Sequence, residues 1–304
     1  YYPGAVLYLA LPIRSREVSR EMRRKWTAAN QLLSRLLTVL YYAYVFLFLL
    51  ALAFPMLLVV YTSFQGSINL TWPPKAFSLD AYRKITPAYW NSLGLSLRMG
   101  VVATALSMLI AVPCAWALVR GSMGKRLRAA ITNLVLIPTT LPELILGIAL
   151  LQFFRPLGLT NTFYGLVLAL TGALGLSMSL RYAEAVIQGV DPSLEEAALT
   201  LGASRMTVLR KITLPLIAVG VLFSSVFVFM STLMTMLLVY FLAGPFTMPI
   251  SVRLFTDIGE RGILPQSVAM AAILIYVAVG FYILVTLFLG PSSFSASSKM
   301  RNSK

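Results

Sequence analysis

Apolar residues in this chain fall into six long blocks instead of alternating with polar positions. The blocks are Leu36–Tyr61, Ser92–Val119, Ala129–Phe154, Phe163–Leu180, Leu216–Ala243 and Ser267–Leu289. A helix needs about 20 apolar residues to cross a hydrocarbon core of roughly 30 Å. Water is absent there, so each backbone amide and carbonyl must find its partner within the segment, and the blocks are predicted to be helices. The first, LLTVLYYAYVFLFLLALAFPMLLVVY, is the most continuous. The fourth is the shortest and carries Gly165, Gly172 and Gly175, small residues that let membrane helices approach closely. The expected fold class is all-α, a polytopic membrane protein with six transmembrane helices.

Composition supports this reading. Of 304 residues 59% are apolar and 12% charged, against about 25% charged in soluble domains. The 25 basic residues exceed the 10 acidic ones by 15. They do not gather in an aromatic-flanked patch, as a nucleic-acid surface requires, so no nucleic-acid partner is expected. They lie between the apolar blocks. Arg14, Arg20, Arg24 and Arg35 precede the first block, Arg120, Lys125 and Arg128 follow the second, Arg205, Arg210 and Lys211 precede the fifth, and Lys299 and Arg301 end the chain. Connections on the other side carry only Lys75, Arg83, Lys84, Arg155, Arg253 and Arg261 as basic residues, which places both termini in the cytoplasm. An apolar stretch precedes the first basic run, the reverse of a secretory signal's order, so residues 1–35 are expected to form a basic, interfacial segment.

The chain has one cysteine, Cys114, within an apolar block, and no histidine. No internal disulfide is available, and the commonest metal ligand and general base is missing. Catalysis and a metal site in this chain are therefore not expected.

The long connection between the fourth and fifth blocks reads DPSLEEAALTLGASRMTVLRKITLPLI from Asp191 to Ile217. Ser193 and Glu196 have the spacing of a capping box, with Pro192 just ahead. Leu194, Ala197, Ala198 and Leu201 recur at helical spacing, and Gly202 suits a left-handed helix end. A second short helix is expected at about Ser204–Ile212, and Pro215 is expected to open the fifth span. A small, apolar helix face presented to the cytoplasm suits docking into a groove of another protein. It also fits an amphipathic helix lying on the membrane.

Glu196-Ala197-Ala198, then Gly202, then Ile212-x-Leu214-Pro215, resembles the EAA motif of binding-protein-dependent ABC importer permeases. The likeness runs from about Asn91 to about Ala271, through Asn91–Leu93, Pro142-Glu143, Phe241–Pro245 and Met248-Pro249. It is strongest toward the second permease of the spermidine/putrescine-type branch, whose relatives include iron, thiamine and aminoethylphosphonate importers. The resemblance implies a type I, MetI-like permease fold, with a permease domain over residues 36–290, a coupling loop over 181–215 and a cytoplasmic tail over 291–304. It also implies a bacterial inner-membrane location. The implied partners are an ATP-binding subunit acting as a dimer, a second permease, and a periplasmic or lipid-anchored substrate-binding protein, with lipid around them. The implied coupling residues are Leu194, Glu195, Glu196, Ala197, Ala198, Leu201, Gly202 and Ala203. No G-x-x-x-x-G-K-[ST] loop is present. ATP and Mg are accordingly expected on the partner ATPase, with no cofactor in this chain.

The implied substrate is a polyamine or a similar small polar solute. Glu143 is the one acidic residue inside a predicted span, which makes it a candidate for the pathway. Pairing with Arg98 or facing a partner permease fits it as well. The branch commonly carries an acidic pair in the fifth span, where this sequence has Met234-Thr235. Those two positions are the other pathway candidates, and they lack the charge that a dication would need. An ion-coupled secondary transporter would call for several intramembrane carboxylates, and a non-transporting scaffold would not need Pro113, Pro138 and Pro142 within its spans.

Overall fold

The computed structural model describes the backbone over residues 12–65 and 77–289, and side chains over 35–65 and 77–287. Part of the expected interfacial segment, residues 1–11, and the expected tail lie outside the described residues. The chain forms two compact units, residues 1–58 and 59–304. That division falls inside the first apolar block.

The described residues of the first unit, 12–58, all belong to one helix, α1 (Pro12–Ser63). Basic segment and first span are thus continuous from Pro12. Leu40, Phe46 and Leu50 on successive faces of α1 are all exposed. A helix apolar all round needs lipid or a partner chain around it.

The second unit is built on α3 (Pro87–Arg120). Its buried side chains include Ser96, Gly100, Ala103, Ser107, Ala111 and Ala115, a stripe of small residues at spacings of three and four. Such a stripe lets neighbouring backbones come close. The helices against it are α7 (Leu176–Gln188) and α10 (Leu214–Met234). Leu118, Leu180, Ile187, Ile217 and Val228 fill the lower half of this core. In the upper half, α6 (Phe163–Leu170) and α11 (Leu237–Tyr240) pack on Met99 and Ala103. At the end remote from Arg120, Tyr89 and Leu93 meet α12 (Ile250–Arg261) and α13 (Pro265–Leu289) through Ile250, Leu254, Ala269 and Met270. The short α2 (Asp80–Arg83) joins them through Tyr82, whose hydroxyl bridges Ser63 at 2.7 Å and Tyr276 at 3.3 Å. Burial pushes the Tyr82 phenol up to about 12, so this bridge stays neutral.

Among the described residues five helices are long and apolar enough to span a membrane, or six if one bent pair is a single span. That pair corrects the third predicted block. Helix α4 (Lys125–Thr140) ends at Leu141, and α5 (Glu143–Phe154) departs at 101°. Pro142 cannot donate an amide and disfavours helical backbone at Leu141, whose ψ is 143°. Gly147 then allows α5 to approach the Leu237 and Leu238 carbonyls, against which a Cβ would press.

The fourth span is longer than predicted, reaching Gln188 through a π-turn at Thr171–Gly175. Glu184 therefore stands within a spanning helix, where it accepts from Thr132 Oγ1 at 3.4 Å. The fifth starts earlier and stops earlier than predicted, running from Arg205 to Met234. Thr235 leaves helical geometry with ψ 124°, and the apolar residues beyond it fold back as α11. Between the fifth and sixth spans lies α12, an amphipathic helix absent from the predicted spans.

Candidate functional site

Helix α8 (Pro192–Thr200) is the coupling segment expected from sequence. Its cap differs from the capping box expected at Ser193 and Glu196. Asp191 is the N-cap, its Oδ1 accepting from the Ser193 amide at 3.0 Å. With Pro192 at the first helical position, the turn is already complete one step earlier. The C-terminus closes as the motif predicts, with Gly202 at φ +88°. The Gly202 amide donates to Leu199 O and the Ala203 amide to Ala198 O, at 3.0 and 3.1 Å, which together form a Schellman cap. The next expected helix shortens to α9 (Arg205–Val208), capped by Ser204 Oγ. A π-turn over Leu209–Thr213 carries it into α10 without a break, the Leu214 amide donating to Leu209 O. Pro215 thus stands inside a continuous span, next to a turn whose hydrogen bonds are already shifted by one residue.

One residue of α8, Glu195, is buried, and the others are exposed or half-exposed. Glu195 is turned inward and 6% exposed. Its Oε2 lies 2.9 Å from Arg120 Nε, and its Oε1 accepts from Thr213 Oγ1 at 2.8 Å. Arg120 also donates through Nη2 to the carbonyls of Ile187 and Val190, at 3.1 and 2.7 Å. One guanidinium therefore ties the end of α3 to the end of α7 and to α8, while Thr213 adds α10. Leu194 is 50% and Leu201 89% exposed; Glu196 and Ala197 are exposed, with Ala198 and Ala203 partly so. Of the eight residues expected to face an ATPase, Glu195 alone is committed to the permease itself. Trp116, Arg120, Glu196, Leu199 and Arg205 border a cavity of about 190 Å³ beside this ion pair.

The pathway candidates sit on two elements, Glu143 at the start of α5 and Met234 and Thr235 at the end of α10. Glu143 opens α5 directly after the break, partly exposed, where a carboxylate complements the helix N-terminus. It makes no ion pair with Arg98, whose Nε donates instead to Gly94 O at 3.1 Å. Met234 is 61% exposed, whereas Thr235 is buried and donates to Ser231 O at 2.8 Å. The Thr235 carbonyl accepts from Ser251 Oγ at 3.0 Å, linking the end of α10 to α12. Arg120 and Thr213, which hold Glu195, are the residues of this site that sequence reasoning missed. Arg120 ends a predicted span, and its only sequence signal was a basic residue at a cytoplasmic helix end.

The structure is thus an all-helical, multi-span core with one broken span and a short helix anchored in the connection between the fourth and fifth spans. The family model for the binding-protein-dependent transport system inner membrane component matches residues 107–290, more than half of the chain. The chain belongs to this family and is an ABC importer permease subunit with a MetI-like fold. It is 29% identical over 245 residues to the sulfoquinovosyl glycerol transport system permease protein SmoH of Agrobacterium fabrum, covering 77% of this chain and 84% of that one. It is 31% identical over 246 residues to a probable molybdenum ABC transporter permease protein of Haloferax volcanii, covering 75% and 85%. Against the spermidine/putrescine permease PotC of Haemophilus influenzae it is 26% identical over 253 residues, covering 80% and 93%. Its fold matches a chain in the crystal structure of a bacterial ABC transporter that imports the acidic polysaccharide alginate. The TM-score is 0.68 at 18% identity, covering 84% of this chain and 97% of that one.

Proposed function

We propose that this subunit forms part of the solute pathway of an importer in a bacterial inner membrane, and that α8 receives its driving force from a separate ATPase. The observation that carries this reading is that α8 is anchored through the one buried residue Glu195 while its other side chains stand exposed or half-exposed. Small apolar side chains with little conformational entropy to lose suit a groove on a partner. ATP and Mg sit on that partner, since no phosphate loop exists in this sequence. When the ATPase pair closes, α8 moves, and the Arg120–Glu195–Thr213 links pass the displacement to α3, α7 and α10 together. A second permease completes the pathway, and a periplasmic or lipid-anchored binding protein delivers the solute. The solute is small and polar. PotC and Glu143 support a polyamine, whereas the molybdenum-associated relative supports an oxyanion.

Cysteine crosslinking in the assembled importer tests the docking. With Cys114→Ser as background, Leu201→Cys and Ala197→Cys crosslink to the ATPase within a few ångströms' reach. Absence of any ATPase adduct at both positions, in a complex that still assembles, contradicts the assignment.

A further inference from the structure

At the end of α3 remote from the coupling helix, a cavity of about 340 Å³ opens between α3 and the segment leading into α12. Its lining brings Arg98 and Arg253 together with Asn91, Ser92, Phe246 and Met248, and includes no carboxylate. Arg98 is 22 positions from Arg120 along one helix, a rise of about 33 Å. That is the thickness of the hydrocarbon core, so the cavity opens at the outer boundary of the membrane.

Both guanidiniums are held in the same manner. Arg253 donates through Nε to Ser92 Oγ at 2.6 Å, and Arg98 through Nε to Gly94 O at 3.1 Å. In each, the hydrogen bond fixes the near side of the fork and leaves the Nη donors unused. Neither forms an ion pair among the described residues. The carboxylate one turn further along α12, Asp257, interacts with the Tyr89 hydroxyl and forms no ion pair with Arg253. Two oriented guanidiniums that form no ion pair, at the low-dielectric boundary, create a positive potential that Asp257, one turn from Arg253, offsets only in part. Planar forks of this type bind tetrahedral or carboxylate oxyanions by paired, charge-assisted hydrogen bonds. A dication would meet like charge here.

From this placement we infer that the cavity is an outer binding site for the oxyanion group of the transported solute. The inference rests on the importer reading and gives its solute a negative charge, in place of a polyamine. Phospholipid phosphate offers the same chemistry at the same depth, so the test must separate the two sources.

Equilibrium binding of inorganic tungstate to the assembled permeases and ATPase, without the binding protein and without ATP, reads this site apart from the delivering subunit. The expected result is saturable binding in phosphatidylcholine nanodiscs that weakens with salt and is displaced by sulfate but not by spermidine. Arg98→Gln and Arg253→Gln each weaken it about tenfold or more, in line with loss of a charged hydrogen bond. Arg98→Lys recovers part of the affinity. Thermal denaturation of the Arg98→Gln complex, unchanged because that side chain is exposed, shows that folding is intact. Equal tungstate affinity in wild type and the double Gln variant overturns the inference, as does no tungstate binding at all. Displacement of tungstate by added phosphatidylglycerol but not by sulfate also overturns it, assigning the cavity to a lipid headgroup. Because the binding needs neither ATP nor α8, it fails or succeeds independently of the crosslinking that tests the importer reading.

Discussion

Arg120 and Glu195 meet at 2.9 Å with their side chains 15% and 8% exposed, joining the end of the spanning α3 to α8, the helix we propose to face the ATPase. The lever proposed for α8 needs a stiff joint, and this ion pair supplies one. Thr213 holds the second carboxylate oxygen, so Glu195 has little freedom to swing.

Removing one partner of so buried a pair leaves the other uncompensated, at a cost of about 3–5 kcal/mol. Glu195→Ala and Arg120→Ala are each expected to lower the thermal stability of the complex and to reduce uptake more than ATP hydrolysis. The Arg120→Ala effect is the larger, because the Ile187 and Val190 carbonyls also lose a donor. In the double variant the losses fall short of their sum, and a double-mutant cycle measures the difference. Additive losses would mean that the two side chains are not coupled.

Thr213→Val keeps the shape and removes one hydrogen bond to a charged acceptor, about 1.5–3 kcal/mol. It should lower uptake less than Glu195→Ala and leave assembly unchanged, as measured by copurification of the ATPase.

Gly202 at φ +88° occupies a conformation that costs other residues roughly 1–2 kcal/mol. Gly202→Val should open the end of α8 and reduce uptake, while Gly202→Asn, tolerant of left-handed backbone, should retain most of it. Equal uptake by the two variants would show that the cap is unimportant.

Gly147→Val tests the fold-back of α11. Its side chain would press on the Leu237 and Leu238 carbonyls and the Phe241 ring. The expected outcome is a lower melting temperature of the purified complex with α8 still able to crosslink.

The spans were readable because hydropathy reports burial in lipid, and lipid-facing or core-facing residues give the same signal. For that reason the ends of the spans were not readable. Residues 235–243 are as apolar as those before them, yet they return as α11 to pack against α5 and α6. The bend at Leu141–Pro142 was marked by proline, but proline also stands at position 113 within the unbroken α3. Local sequence does not say which proline breaks a helix, since neighbouring helices decide whether the freed carbonyls are satisfied. Helix α12 was missed although Ile250 and Leu254 are one turn apart, because its polar face lowers the hydropathy that identified the other blocks. At the coupling segment, Gly202 was legible from its residue type and position. The partnership of Arg120 with Glu195 was not, since two residues so far apart in one sequence carry no mark of their contact.

The central claim is that α8 transmits force from ATP hydrolysis to the spans. Its most direct measurement is uptake alongside ATP hydrolysis in proteoliposomes holding the whole importer with Glu196→Ala and Gly202→Val combined in this subunit. The account predicts hydrolysis that continues while uptake is lost, with membrane insertion and assembly intact. Wild-type uptake by that double variant would contradict it.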